Sequence, residues 1–212
     1  MKSRPFVFIN AAMSADGKIS TYERRQTRIS GDADRKRVDE LRASADAIMV
    51  GIGTVLADDP GLTVRSGEKN PIRIVVDSMA RTPVDAEVVT RKGSPTIIAV
   101  SKSAPREKVE ALREKAEVIT VGNRQVSLPE LLSELKSRGI NRLMVEGGAT
   151  LNWGLISEGL VDEIYVYIGN MIIGGKDAPT LVDGIGFANP MKLELLSVEK
   201  MDDGTLVKWR VR

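Results

Sequence analysis

The sequence contains no cysteine and no histidine, and these absences exclude more functions than any other feature of its composition. Without them the chain cannot form a disulfide framework, a zinc finger, an iron–sulfur cluster or a histidine-ligated metal site, so we predict no metal. Hydrolases that depend on a histidine base and zinc-dependent nucleobase deaminases are excluded for the same reason. Any catalysis must use carboxylates, lysine, tyrosine, backbone dipoles, a bound cofactor or the substrate.

Aromatic residues, net charge and long apolar runs are also scarce. Aromatic side chains make up 4% of the chain, too few for a surface that stacks on single-stranded nucleic acid. Lys and Arg total 31 and Asp and Glu total 29, so the net charge of +2 gives no general attraction to nucleic acid or membranes. No run approaches the roughly 20 apolar residues that cross a bilayer, and no targeting segment is visible. We therefore expect a cytoplasmic protein without nucleic-acid or membrane partners.

The pattern of the remaining residues predicts one α/β domain over residues 1–212. Short runs rich in Ile and Val alternate with charged segments of helical period, which predicts a single, mostly parallel sheet flanked by helices. Two β-rich segments on either side of Asp202-Asp203-Gly204 predict a C-terminal antiparallel hairpin. The predicted strands are 6–12, 48–51, 73–77, 96–100, 117–121, 142–146, 163–168, 193–200 and 205–211, and the predicted helices are about 30–45, 53–60, 105–115, 127–138 and 150–158.

Two glycine-containing turns follow predicted strands. In Val145-Glu146-Gly147-Gly148 a helix follows the glycines, so backbone N–H groups and the helix dipole could meet an anion, although a tight turn without a ligand has the same pattern. Gly51-Ile52-Gly53-Thr54 is a second such turn, and the two could hold both ends of one phosphate-bearing ligand. Neither is the GxGxxG dinucleotide fingerprint. Asp58-Asp59 is either a capping pair or a pair of catalytic carboxylates.

The segment Asp77-Ser78-Met79-Ala80-Arg81 contains groups suited to a phosphate monoester. A serine hydroxyl and an arginine in one short loop fit the 2′-phosphate of NADP. An acidic residue at a strand end, however, often favours the unphosphorylated ribose of NAD. An ordinary exposed turn is the third alternative. Basic residues within 23–28 and Arg65 either neutralise a substrate phosphate or are simply solvated.

Seven segments occur in an order that is typical of one known family. They are residues 10–18 (NAAMSADGK), 50–60 (VGIGTVLADDP), 62–65 (LTVR), 71–78 (PIRIVVDS), 145–148 (VEGG), 159–163 (GLVDE) and 174–179 (GGKDAP). Together they resemble the pyrimidinone-phosphate reductases of riboflavin biosynthesis. The resemblance runs from about residue 6 to residue 211, and the ordered set is far more specific than any one segment.

This resemblance implies a dihydrofolate-reductase-like fold, a homodimer and NADPH as cofactor. The implied substrate is 2,5-diamino-6-ribosylamino-4(3H)-pyrimidinone 5′-phosphate, whose ribosyl side chain is reduced to ribityl by hydride transfer to the C1′ imine. Many bacterial relatives carry a fused zinc deaminase, for which this chain has neither room nor metal ligands, so it resembles the stand-alone archaeal or fungal type. The alternatives are reduction of the deaminated pyrimidine (5-amino-6-ribosylaminouracil 5′-phosphate) or of a pterin, and a nucleotide-binding regulator without turnover.

The same resemblance assigns site residues position by position. Cofactor contacts fall on Ala12, Thr54, Asp58, Ser78, Met79, Ala80, Arg81, Gly147, Gly148, Ala149 and Thr150. Substrate contacts fall on Gln26, Arg42, Leu62, Arg65 and Glu146. Because histidine is absent, a carboxyl group, a lysine, a tyrosine or water must protonate the imine. We predict that Glu146 is the catalytic group, with Asp16 as the second choice.

Overall fold

Strands and helices alternate along most of the chain. The computed structural model describes residues 3–24, 27–65 and 70–212. Its strands are β1 (Phe6–Ser14), β2 (Ala47–Gly51), β3 (Ile72–Val76), β4 (Thr96–Val100), β5 (Glu117–Thr120), β6 (Arg142–Val145), β7 (Glu163–Gly169), β8 (Leu193–Met201) and β9 (Gly204–Val211). Its helices are α1 (Asp32–Ala43), α2 (Ile52–Asp58), α3 (Glu87–Thr90), α4 (Arg106–Arg113), α5 (Leu128–Ser137) and α6 (Ala149–Ser157).

The strands are hydrogen-bonded in the order β5-β4-β3-β2-β6-β1-β7-β9-β8. The pairs β1–β7, β2–β3, β3–β4 and β4–β5 are parallel. Strand β9 is antiparallel to both β7 and β8. The prediction of an α/β fold with a mostly parallel sheet and a C-terminal antiparallel hairpin is therefore confirmed.

The chain divides into two compact units. Unit 1 consists of residues 1–6 and 42–144, and unit 2 consists of residues 7–41 and 145–212. The predicted site residues are shared out between these units. A single domain over residues 1–212 stays a prediction.

The core of unit 1 is built on strands that are buried on both faces. All five residues of β4 are buried, as are four of the five in β2. Such continuous runs of Ile and Val are typical of parallel strands with helices on both faces. Helix α5 contributes Leu131, Leu132 and Leu135, and α4 contributes Leu112. These apolar contacts hold the carboxyl ends of the strands, and the loops that follow them, in fixed positions.

The sequence predicts an apolar stripe of Val38, Leu41 and Ala45 on the helix that begins near Ser30. Ala45 is buried but follows the end of α1, and in unit 2 this helix contacts β1 through polar groups. Val38 and Leu41 are only half-buried, whereas Asp34 is 1% exposed. The Asp34 carboxylate lies 2.7 Å from Arg37 Nη2, and the same Nη2 donates to Asn10 Oδ1 on β1 at 2.8 Å. Removing one partner of a buried pair costs about 3–5 kcal/mol, because the other charge is left buried without compensation.

Two local features of unit 1 differ from the sequence predictions. Ser127 is the N-cap residue of α5, but its side chain makes no capping hydrogen bond. The sequence Ser127-Leu128-Pro129-Glu130 predicts a capping box, but Glu130 accepts from the Gly122 N–H at 3.3 Å, so this prediction is wrong. The four-residue helix α3 was not predicted, because one turn is too short to show a hydrophobic period.

Candidate functional site

In unit 1, the first predicted turn joins strand β2 to helix α2. Gly51 is the N-cap residue in extended conformation (φ −81°, ψ 154°), and no side chain caps this helix end. Thr54 lies in the first turn of α2 and is partly exposed. A Cβ placed on Gly53 would meet no atom within 4 Å, so the space beside this turn is open.

The two adjacent aspartates at the end of α2 have different roles. Asp59 takes a left-handed conformation (φ 40°), and its N–H donates to the Val55 carbonyl at 3.0 Å. Its carboxylate accepts from the Glu87 N–H at 2.8 Å and so caps helix α3. Burial raises the pKa of the Asp58 carboxyl above its ordinary value of 3.8. Of the two alternatives left open by the sequence, Asp59 acts as a capping residue, and only Asp58 remains a candidate ligand.

The predicted phosphate loop follows β3 and is closed by the first residue after that strand. Asp77 is 0% exposed, and its Oδ2 accepts from the N–H groups of Arg81 and Thr82 and from the Thr82 hydroxyl. The Ala80 N–H donates to the Asp77 carbonyl at 3.2 Å, which completes a tight turn. A ribose hydroxyl could not reach this carboxylate unless the loop opened. The structure therefore gives no support to an NAD-type contact by Asp77.

Loops that follow β4 and β5 hold Ser78 from two further sides. The Ser101 hydroxyl donates to the Ser78 carbonyl at 2.8 Å, and the Val126 N–H donates to Ser78 Oγ at 3.0 Å. Met79 is 40% exposed, and the Arg81 side chain is 55% exposed. The residues predicted to bind the adenosine phosphate thus form an ordered loop with one half-exposed cation.

Three of the predicted substrate contacts lie in one part of unit 1. Arg42 Nη1 donates to the Thr63 carbonyl at 3.0 Å, which ties this arginine to the segment that contains Leu62 and Arg65. Leu62 is 3% exposed and has a left-handed backbone (φ 46°), while Arg65 is exposed. The structure therefore brings Arg42 together with this segment. Gln26, the other predicted contact near the chain's basic stretch, lies outside the described residues.

In unit 2, the second predicted turn joins β6 to α6. Glu146 directly follows the buried end of β6 and is partly exposed. Gly147 has a φ of 100°, a conformation that L side chains rarely adopt, and the Gly147–Gly148 peptide is cis. A Cβ on Gly147 would meet no atom within 4 Å. Gly148 is the N-cap residue of the nine-residue helix α6, and Ala149 and Thr150 begin that helix.

The first turns of α6 are covered by the segment between β7 and β8. Asn152 is 1% exposed, and its Nδ2 donates to the Leu181 carbonyl at 2.9 Å. The rings of Trp153 and Phe187 are 4.9 Å apart. A Cβ on Gly184 would come within 2.2 Å of the Trp153 ring, so glycine is required for this close approach. These contacts support the turn that carries Glu146.

Asp16, the second predicted catalytic residue, holds a loop of unit 2. Its Oδ1 accepts from the Ser14 hydroxyl at 2.5 Å and from the Ile173 N–H at 3.1 Å, and its Oδ2 accepts from the Gly174 N–H at 2.7 Å. The Ser14 hydrogen bond and these backbone N–H groups lower the pKa of Asp16 from 3.8 to about 2. A carboxyl group with so low a pKa is ionised at neutral pH and is a poor proton donor.

Ala12 lies two residues before Ser14 on β1 and is paired in register with Tyr167 of β7. It is half-buried, which leaves its backbone partly accessible. Unlike the glycine turns, this position carries no local signal of a site, and it was assigned only through the resemblance.

Residues 3–24, 27–65 and 70–212 form neither a cluster of metal-binding side chains nor a membrane-spanning helix. Within these residues, no group of three or more Asp, Glu, His or Cys side chains is placed to hold a metal ion. No helix formed by them has both the length and the apolar character needed to cross a bilayer.

The fold and these loops are those of an α/β reductase of the dihydrofolate-reductase-like class. The model of the family described as the RibD C-terminal domain matches residues 5–207. The chain therefore belongs to this family of riboflavin biosynthesis reductases, and the resemblance found in the sequence is confirmed.

The chain is similar to named relatives over nearly its whole length. It is 50% identical over 216 residues to the 2,5-diamino-6-ribosylamino-4(3H)-pyrimidinone 5′-phosphate reductase of Methanothermobacter thermautotrophicus, with 99% of each chain covered. It is 48% identical over 218 residues to the protein of the same name from Archaeoglobus fulgidus, with 98% of each covered.

A solved structure from Thermotoga maritima is similar in fold and, more weakly, in sequence. That protein is described as a diaminohydroxyphosphoribosylaminopyrimidine deaminase/5-amino-6-(5-phosphoribosylamino)uracil reductase, and the TM-score is 0.81 at 26% identity. The match covers 99% of this chain and 57% of that chain. This chain therefore spans a little more than half of that relative.

Proposed function

We propose that this chain reduces the ribosyl side chain of 2,5-diamino-6-ribosylamino-4(3H)-pyrimidinone 5′-phosphate to the ribityl form and uses NADPH to do so. The observation that carries the proposal is the match to the two archaeal reductases, which covers 98% or more of every chain compared. A match of this extent includes both the loop after β3 and the turn after β6.

The residues of each unit fit a nicotinamide dinucleotide with a 2′-phosphate. In unit 1, the loop after β3 offers the half-exposed Arg81 guanidinium, and the Ser78 hydroxyl, which accepts from Val126, can still donate its proton to a phosphate. In unit 2, the open space beside Gly147 and the N-terminus of α6 suit a pyrophosphate. The assigned cofactor contacts are Ala12, Thr54, Asp58, Ser78, Met79, Ala80, Arg81, Gly147, Gly148, Ala149 and Thr150.

NADPH supplies the hydride when it is bound, and the substrate supplies the electrophile. A ribosylamine opens when its C1′–O4′ bond breaks and the proton of its N–H group is passed to O4′, which leaves an imine at C1′ and a hydroxyl group at C4′. Reduction adds hydride to C1′ and a proton to the imine nitrogen. Glu146, fixed between the end of β6 and the glycine turn, holds the substrate and relays this proton. Asp16 is not assigned a proton-donor role, because both of its oxygens already accept hydrogen bonds that hold its own loop.

The substrate's own phosphate is assigned to cations of unit 1. Arg42 and Arg65 carry the charges, and the Arg42–Thr63 hydrogen bond keeps the first arginine next to the segment of the second. A guanidinium presents paired donors that match phosphate oxygens. Leu62, which is buried, and Gln26 are retained as assignments from the resemblance alone.

The direct test uses the purified chain with NADPH and each candidate substrate in turn. We expect oxidation of NADPH, followed at its nicotinamide absorbance band, with the diamino pyrimidine and formation of the ribityl product by mass spectrometry. Oxidation with dihydrofolate but with neither pyrimidine would assign a pterin reductase instead. Binding of NADPH without oxidation by any of these compounds would indicate a regulator and overturn the proposal.

A second candidate substrate is the deaminated pyrimidine, 5-amino-6-ribosylaminouracil 5′-phosphate. The observation that favours it is the uracil reductase activity in the description of the Thermotoga maritima relative. The two pyrimidines differ in one exocyclic group, so the ratio of their kcat/KM values decides between them. We expect this ratio to favour the diamino compound.

A homodimer is the proposed assembly, and strand β8 is the surface that suits it. In the sheet formed by the described residues, β8 is the last strand in the order. Its side chains Leu195 and Val198 are 52% and 57% exposed. An exposed edge with apolar side chains is covered when two copies pair about a two-fold axis. Light scattering should give a dimer for the wild type and a monomer for Leu195→Glu; a monomeric wild type would contradict this assembly. A cytoplasmic location stays a prediction.

A further inference from the structure

We propose that Asp77 is a positioning residue that favours NADPH over NADH by fixing the loop Ser78–Arg81. This inference rests on the proposed use of NADPH. An acidic residue at the end of a strand commonly binds the ribose hydroxyls of NAD and disfavours the 2′-phosphate of NADP. In this chain Asp77 has the opposite effect and favours NADPH, because its carboxylate accepts hydrogen bonds from within the loop.

The Asp77 carboxylate points into the loop that follows it. The side chain is 0% exposed, and Oδ2 accepts from the Thr82 N–H at 2.7 Å and from the Thr82 hydroxyl at 2.8 Å, as well as from the Arg81 N–H. Three donors thus converge on one oxygen. Hydrogen bonds to a charged acceptor are about twice as strong as neutral ones, so this carboxylate determines the conformation of the loop.

The Arg81 side chain lies near the Asp77 carboxylate and is also partly exposed to solvent. Its Nε lies 3.7 Å from Asp77 Oδ1, which is itself buried. The side chain is nevertheless 55% exposed, so the rest of the guanidinium can reach a ligand. The carboxylate therefore holds Arg81 by its backbone N–H, and the guanidinium lies near Asp77 Oδ1 without a hydrogen bond to it. A pre-positioned guanidinium loses less conformational entropy when it binds a phosphate.

The loop has a strained backbone at Ala80 and is supported at Ser78 by residues from two other loops. Ala80 has a φ of 52° and is 3% exposed. A left-handed conformation at a residue other than glycine persists only where the surroundings enforce it. The Ser101 hydroxyl and the Val126 N–H hold Ser78, which leaves Asp77 as the group that holds the other end. Without its charge, the loop should lose the shape that binds a phosphate.

The test is the cofactor preference of Asp77→Asn, measured as the ratio of kcat/KM for NADPH to kcat/KM for NADH. Asparagine keeps the size of the side chain but removes the charge. We expect the ratio to fall on the order of tenfold through a higher KM for NADPH, with kcat little changed. If Asp77 instead contacted a ribose hydroxyl, removal of its charge would relieve repulsion of the 2′-phosphate and the ratio would rise. An unchanged or increased ratio overturns the proposal.

Two controls separate this effect from a general loss of charge or of folding. Asp85→Asn removes one negative charge from an exposed position on the same stretch of chain, and its ratio should stay at the wild-type value. Thr82→Val removes only the hydroxyl that donates to Asp77. Thr82→Val should lower the ratio by a smaller factor than Asp77→Asn does. If Asp77→Asn does not fold, the ratio of Thr82→Val is the test of the proposal. A Thr82→Val ratio equal to that of the wild type would then overturn the proposal.

A double-mutant cycle shows whether Asp77 acts through Arg81. Once Arg81→Ala has removed the guanidinium, the further change Asp77→Asn should lower the ratio much less than it does in the wild type. Additive effects would contradict a role through Arg81. A wild type that reduces the pyrimidine but prefers NADH overturns this inference and leaves the reductase function standing. A wild type that binds neither cofactor by calorimetry overturns both.

Discussion

The loop after β3 in unit 1 and the turn after β6 in unit 2 both follow a buried strand, but they are kept in shape by different means. A buried carboxylate closes the first, where Asp77 accepts from the backbone and side chain of the residues that follow it. The second depends on backbone freedom, because Gly147 has a φ of 100° and open space beside it. A loop closed by a charge is ordered before a ligand arrives, whereas a glycine turn leaves room for a ligand to approach closely.

The two regions therefore differ in which substitutions they tolerate. The loop after β3 should be sensitive to changes in its hydrogen-bond donors and acceptors, and insensitive to added volume at its exposed residues. The turn after β6 should be sensitive to any added Cβ and to the neighbouring carboxylate. Substitutions at Glu146, Gly147 and Ser101 test this contrast, and a fourth substitution tests Asp16 in the loop after β1.

The largest expected effect is that of Glu146→Gln. This change removes the carboxylate beside the glycine turn, and loss of a general acid lowers kcat by roughly 100-fold or more. NADPH binding, measured by calorimetry, should be nearly unchanged. The matched control is Glu158→Gln at the exposed C-terminal end of α6, which should keep wild-type turnover. Equal turnover in Glu146→Gln and the wild type would remove Glu146 from the chemistry.

Next in size is the contrast between alanine at Gly147 and alanine at Gly53. At Gly147 the positive φ makes alanine strained, at a cost of about 1–3 kcal/mol of folding free energy. At Gly53, inside α2 with open space around it, alanine should instead stabilise by about 0.5–1 kcal/mol. Urea denaturation of both variants measures whether alanine lowers or raises the free energy of unfolding at each position. Equal effects would mean that backbone conformation does not distinguish the turns.

Ser101→Ala should weaken the loop after β3. The Ser101 hydroxyl donates to the Ser78 carbonyl at 2.8 Å, and loss of a buried hydrogen bond costs about 1 kcal/mol. We expect a KM for NADPH raised several-fold with little change in kcat. Ser103→Ala, at an exposed neighbour, is the control that should behave like the wild type. A fall in kcat with unchanged KM would contradict the assignment of this loop to cofactor binding.

The smallest expected effect is the pH dependence of Asp16→Asn. In the folded chain the pKa of Asp16 is lowered from 3.8 to about 2, so its contribution to stability is present above pH 3.8 and is lost as the pH falls toward 2. The stability difference between the wild type and Asp16→Asn should therefore shrink through that interval. Denaturation midpoints measured across it provide the check. A stability difference that grows toward low pH would contradict the lowered pKa of Asp16.

Much of the fold could be predicted from the sequence because the information is local. Runs of Ile and Val mark β2, β3 and β4, and Asp202-Asp203-Gly204 marks the hairpin of β8 and β9. The glycine turn after β6 was predictable for the same reason. A helix as short as α3 carries no period. The capping box predicted at Ser127 does not form, because Glu130 accepts from the Gly122 N–H instead.

The parts that could not be predicted depend on contacts between residues far apart in the chain. By itself Asp77 left NAD and NADP open, and only the resemblance favoured NADP. The burial of its carboxylate inside the loop depends on the fold and has no signal in the sequence. Ser101 is 23 residues from the Ser78 carbonyl that it holds. Arg37 is 27 residues from Asn10, and no hydrophobic pattern signals that a charged residue will be buried. Charge and polarity alone do not reveal which side chains serve a ligand and which serve the fold.

Hydride transfer to C1′ of the ribosylamine is the step on which the proposed function depends. It is tested most directly with NADPH that carries deuterium at both C4 positions of the reduced nicotinamide ring. After a single turnover with the diamino pyrimidine, one deuterium should appear at C1′ of the ribityl chain, as seen by NMR and mass spectrometry. A ribityl product without deuterium at C1′, or no product from a chain that binds both ligands, would contradict the account.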